Sequence, residues 1–196
     1  MHDLWAALRV GHLVAAVFMA APLYALLAVN ERGRFGTVLV HTLDNYLEGM
    51  IRRQPIRCFG YLAMLGITGL LLLSMFFGGL GMLASHRTLI AHVLLFALLA
   101  GFLSYVHFKL QPQIDALLAR VPLTGATPEG VEPALWRLRR RRKKLATSCL
   151  FLVLGTVLLG VRLEMSFGAL LTLALLTLAA LFAWRVYRSL LPYGWF

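Results

Sequence analysis

Residues 8–29 read LRVGHLVAAVFMAAPLYALLAV, a run apolar enough for hydrocarbon that still carries Arg9 and His12 near one end. Crossing a bilayer as a helix takes about 20 apolar residues, and this run fills residues 4–29. No basic residue precedes Leu4, as a cleaved leader would require, so a retained helix is expected. Four further stretches approach spanning length, at 57–83, 88–108, 145–163 and 166–184. Hydrophobic residues make up 60% of the chain and charged residues 14%, with a mean hydropathy of +0.80, far from the averages of soluble domains. The long Leu, Ala and Val runs lack the two-residue alternation of barrel strands. The expected fold is all-α: a polytopic membrane helical bundle of five transmembrane helices, forming one domain over 1–196.

Cytoplasmic loops retain Lys and Arg, so the basic residues orient such a bundle. With five spans, one side receives Arg32, Arg34, Arg52, Arg53, Arg57, Lys109, Arg120, Arg137, the run Arg139 to Lys144, Arg185 and Arg188, sixteen in all. The other side receives three, Arg9, Arg87 and Arg162. The N-terminus is expected outside and the C-terminus in the cytoplasm. This asymmetry accounts for the net charge of +11 without nucleic acid. The run WRLRRRRKKLATSCL (136–150) leads straight into a span, with Pro133 suited to the first turn of a helix. Its basic segment 137–144 is expected to meet anionic lipid head groups, at about 1 kcal/mol per charge.

Between the first two spans, RFGTVLVHTLDNYLEGMIRR (34–53) places Phe35, Val38, Leu39, Leu43, Tyr46, Leu47 and Met50 at three- and four-residue steps. Thr37, His41, Asp44 and Glu48 fall opposite, the pattern of an amphipathic helix lying on the inner surface over 34–52. RVPLTGATPEGVEP (120–133), with three prolines and two glycines, reads as an irregular part of a cytoplasmic loop over 109–144. Cys58 and Cys149 lie near the inner ends of their spans and form no Cys-x-x-Cys pair, so neither a structural disulfide nor a zinc signature is expected.

Ionisable or ligating side chains within a span are costly and mark candidate sites. The first and third spans run in the same direction, which places His12 and His92 at similar depths beneath the outer surface. Two opposed imidazoles in a helical bundle are the axial donors of a low-spin haem iron, with both rings as metal ligands. Arg9, one turn outward of His12, and Arg87, just outside the third span, are suited to pair with haem propionates. A simpler reading has each histidine hydrogen-bonding a polar neighbour on another helix and Arg9 reaching the head groups. His107 shares the third span with His92, and a second haem there would need His41, which the surface-helix pattern puts on the polar face. All eight carboxylates lie in loops or at span ends, which counts against a buried hydrolytic triad and against ion-coupled transport.

The first span LRVGHLVAAVFMAAPLYALL (8–27), the entry to the second, MIRRQPIRCFGYLAMLGITGLLLL (50–73), and the third, LIAHVLLFALLAGFLSYVHFKLQPQI (89–114), resemble the copper-resistance D family and the related bacterial membrane protoporphyrinogen oxidases over roughly residues 5–160. His12 matches that group's first-helix histidine. His92 stands where the oxidase branch has His-x-Lys, although this chain reads His92-Val93-Leu94. The fifth span also exceeds the four-helix pattern of that branch. The resemblance implies haem binding and a bacterial inner membrane. It also suggests copper as an alternative cargo, for which Met19, Met64, Met75 and Met82 are the soft donors.

Two functional classes follow. One is a b-type haem protein in electron transfer, a subunit or partner of other membrane redox subunits. The other is an accessory subunit of a membrane complex without cofactor.

Overall fold

A computed structural model describes residues 2–30, 41–76, 79, 81–122, 128–165 and 167–188. These residues form helices α1 (His2–Asn30), α2 (His41–Phe76), α3 (Gly81–Ser85), α4 (Arg87–Tyr105), α5 (Gln111–Leu118), α6 (Val131–Glu164) and α7 (Ala169–Arg188). A π-helical turn, Val106–Leu110, joins α4 to α5. No strand occurs among the described residues. Five helices, over Asp3–Leu23, Tyr46–Met75, Arg87–Leu118, Val131–Leu163 and Ala169–Arg188, are long and apolar enough to cross a membrane.

Four of these helices make the bundle. α1 packs against α2 and α6, while α4 packs against α6 and more lightly against α2. α1 and α4 therefore stand at opposite corners, with α2 and α6 between them. The core follows from three- and four-residue spacing on each helix: Ala15, Met19 and Leu23 on α1 meet Cys58 and Leu62 on α2, Leu99 and Leu103 on α4, and Cys149, Leu150 and Val153 on α6. α7 packs on the outside of α6 and turns leucines outward, Leu170 being 84% exposed. An apolar exterior is what hydrocarbon requires, so side-chain fit and hydrogen bonds, rather than expulsion of water, hold such helices together.

The helix ends depart from expectation in three places. The stretch read as a surface helix, 34–52, lies outside the described residues as far as 40, and from His41 onward it is the opening of α2, one 36-residue helix. Its faces are reversed: Glu48 is 1% exposed, while Tyr46 and Met50 are 68% and 42% exposed. The cause is the set of partners that Glu48 finds on α5 and α6, described below. The second helix ends at Phe76, short of 83; Gly79, at φ +85°, turns the chain back and donates its N–H to the Leu73 carbonyl at 3.0 Å before α3 begins.

Helix also covers 109–118 and 131–144 within the stretch read as a loop. α6 runs 34 residues from Gly130, whose positive φ (+82°) forms the entry, for a length of about 51 Å. Lys and Arg are good helix formers, and half of the basic run is anchored inside the bundle.

Candidate functional site

His12 lies one turn before Ala15 and Ala16 on the inward stripe of α1, and His92 one turn before Leu95 and Phe96 on the inward stripe of α4. Each histidine thus continues a packed stripe to the same end of the bundle. Their ring centroids are 6.2 Å apart, with planes inclined at 32°. The two helices that carry them are the diagonal pair, so the rings face each other across the bundle axis.

The flanking helices leave room for them. A Cβ on Gly69 of α2 would sit 3.3 Å from His12 Cε1, and a Cβ on Gly160 of α6 would sit 3.5 Å from His92 Cε1. His12 Nδ1 is 2.8 Å from the Thr68 hydroxyl oxygen, which in turn donates to the Met64 carbonyl at 2.7 Å. The Thr156 carbonyl approaches the His92 ring, yet His92 Nδ1 is buried with no hydrogen-bond partner.

The other expected site residues are placed less centrally. The Arg9 guanidinium lies over the Trp5 ring, 3.9 Å from its centroid. Arg87 is exposed at the first residue of α4. His107 sits in the π-helical turn toward the opposite end, in edge-on contact with Phe59 (5.6 Å) and Phe108 (4.8 Å). The His41 side chain lies outside the described residues, so it gives His107 no described partner. Of the soft donors, Met19 is buried in the core whereas Met64 and Met75 face outward. Cys58 and Cys149 are free, buried thiols that line one small cleft with Pro22, Pro55, Val106 and Arg142.

At the basic end is a polar cluster that the sequence pattern did not reveal. Arg142 Nη1 pairs with Glu48 Oε1 and donates to Gln111 Oε1 at 2.8 Å. Arg139 Nη2 reaches the other carboxylate oxygen of Glu48 at 3.5 Å. Gln111 Nε2 donates to Glu48 at 3.0 Å and to Asp115 at 3.1 Å, and Asp115 accepts from Arg52 at 2.8 Å. The signal was present in α6: Leu135, Arg139, Arg142, Ala146, Cys149 and Val153 share one inward stripe at three- and four-residue steps. Arg137, Arg140, Arg141 and Lys144 fall on the outward face. The basic run therefore divides between an internal ion cluster and an exposed surface.

Such a cluster holds α2, α5 and α6 together. The imidazole pair offers two nitrogen donors at the opposite end. Among the described residues no group of three or more His, Cys, Asp or Glu side chains is placed to hold a metal ion. The pair alone therefore leaves a tetrahedral or octahedral metal short of protein ligands, whereas a porphyrin iron, already held by four ring nitrogens, needs two axial donors.

These features define a class, a helical membrane bundle with an interior imidazole pair at one end and a buried ion cluster at the other. Compared with known proteins, the chain matches no protein-family model, no curated protein and no solved structure.

Proposed function

We propose that this chain is a b-type haem protein of the membrane, with His12 and His92 as axial ligands, acting in electron transfer as a subunit or partner of a larger redox complex. The spacing of the rings carries the reading. Imidazoles bound on opposite faces of one metal through bonds of about 2 Å have centroids roughly 6 Å apart, against the 6.2 Å observed.

Three features of the chain fit the group. The ring-bearing helices are the diagonal pair, so a group held by both rings would be flanked by α2 and α6. There Gly69 and Gly160 present no side chain. The His92 Nδ1 is buried and makes no hydrogen bond, although the Thr156 carbonyl approaches the ring.

Haem bound here supplies a reversible one-electron couple in low dielectric. His12 and His92 hold it between helices, the apolar bundle keeps water from it, and Arg9 and Arg87 stand on the outward side of the two rings, where carboxylates need cationic partners. The charge asymmetry supports a bundle with its N-terminus outside, in a bacterial inner membrane, which puts the imidazole pair in the outer leaflet. The exposed basic face of α6 then meets anionic lipid head groups at the inner leaflet.

A reduced-minus-oxidised optical spectrum of the protein, purified in mild detergent from haem-replete cells, tests the reading. A low-spin b-type band is expected, lost in His12→Ala and altered in His92→Ala but kept in His41→Ala. No haem band in the wild type overturns it. Stoichiometric copper without haem would replace haem by copper, and neither would leave an accessory subunit.

A further inference from the structure

Between the imidazole pair and the ion cluster lies a cleft that the haem reading does not use. Cys58 of α2 and Cys149 of α6, both buried, line it from the second pair of opposite corners. Irregular backbone on three helices keeps the bundle from closing there. Pro22 in α1 and Pro55 in α2 each remove a helical N–H and crowd the carbonyl one turn back. On α4 the cleft meets Val106, the first residue of the π-helical turn, a distortion frequent at functional sites. On α6 the wall between Arg142 and Cys149 is only Ala146, whose small side chain leaves the space open.

That space is about 20 Å³, room for one atom-sized guest. Besides the two thiols, the polar groups in the wall are Gln54 and Arg142, and none of the described lining residues is a carboxylate or an imidazole. A hard cation, which takes six or more oxygens, finds no such shell here, and zinc is two ligands short of four. A soft cation with a filled d shell and a single charge asks for less: two thiolates in line suffice, and it need keep no water.

We infer that Cys58 and Cys149 together bind a soft monovalent metal cation, held in line between their sulfurs. Two S–H bonds break and two metal–sulfur bonds form; both protons leave to solvent, and no electron is transferred. The product carries one negative charge, and the Arg142 guanidinium, which also pairs with Glu48, stands in the same wall to oppose it. The site is independent of the imidazole pair. Cys58 is eleven residues from Gly69 on α2 and Cys149 eleven from Gly160 on α6, about 16 Å along each helix.

Silver(I), added as nitrate in chloride-free buffer to the reduced full chain in mild detergent, is the probe. One tightly held ion per chain is expected, with two sulfur neighbours by X-ray absorption and two protons released. Cys58→Ser and Cys149→Ser should each weaken binding at least tenfold. His12→Ala, His92→Ala and Met19→Leu should bind as the wild type does, and zinc should not compete. Thermal unfolding followed by fluorescence establishes that each variant is folded. Where a buried serine hydroxyl prevents folding, Cys58→Ala and Cys149→Ala carry the same test.

Unchanged silver affinity in the folded cysteine variants overturns the inference. So does a single sulfur neighbour per ion, or two ions per chain, since the thiols would then act separately. A haem-loaded protein without the silver site leaves the haem reading intact, and a haem-free protein with it overturns that reading alone.

Discussion

The two ends of the bundle treat buried polar groups in opposite ways. At the basic end the Glu48 carboxylate receives donors from Arg142, Arg139 and Gln111, all nearly inaccessible to solvent. At the other end His12 contacts the Thr68 hydroxyl and the Leu65 backbone, and His92 the Thr156 backbone, its Nδ1 making no hydrogen bond. An unmet buried donor or acceptor costs about 1–3 kcal/mol, a cost carried by Nδ1 of both His92 and His107. The dense cluster links three helices in register, whereas each ring makes its polar contacts with one neighbouring helix.

The contrast is broken most severely at Glu48. Glu48→Ala strands two guanidinium groups in the interior, and losing one partner of a buried ion pair costs about 3–5 kcal/mol. The expected result is a large fall in thermal midpoint, or failure to accumulate, as measured by fluorescence-detected size exclusion on heating. Replacing Glu48, Arg139 and Arg142 together by Leu and Met should recover most of that loss, because no charge is then left alone. A recovery that fails would mean the cluster does more than hold helices.

A smaller and more selective effect is expected at the imidazole end. Gly160→Leu projects a branched side chain toward the His92 ring and should reduce haem content severalfold, read from the pyridine haemochrome. Gly160→Ala should leave it nearly unchanged, because its Cβ meets the ring at an ordinary 3.5 Å. Gly69→Ala falls between them, since His12 must yield by a few tenths of an ångström at 3.3 Å. In a helix of purely structural purpose Gly→Ala would be favourable by up to about 1 kcal/mol, so lower haem content without lower thermal stability separates the two roles.

The smallest effect belongs to Arg52→Ala. Its ion pair with Asp115 has side chains 59% and 31% exposed. Screened pairs of this kind contribute about 0–1 kcal/mol, and the thermal midpoint should move by only a degree or two.

Much of the architecture was legible in the chain, because an apolar run of spanning length has few alternatives and hydropathy alone reveals it. The facing of His12 and His92 was legible for a related reason: each extends a three- and four-residue stripe of its helix, and parallel spans put equal distances from the outer surface at equal depth. Glu48 was not legible. The amphipathic rule that sends charge outward applies to a helix in water or lying on a membrane surface. Within a bundle clothed in lipid the polar side turns inward, and the same periodicity carries the opposite meaning. The basic run misled similarly, since a count of charges near a span end says nothing of which face each one occupies. Thr68 escaped notice because a lone threonine in an apolar helix usually bonds its own backbone, as Thr147 and Thr177 do here. Only the crossing of two helices reveals its second role.

α6 is an unbroken rod with Arg142 near its base and Gly160 near its tip, 18 residues or about 27 Å apart. Salt links to α2 hold it at Arg142, and over that length a tilt of a few degrees would displace Gly160 by about an ångström. The wall beside His92 is that tip. A tilt of α6 at its ion cluster would therefore change the contact between Gly160 and the His92 ring.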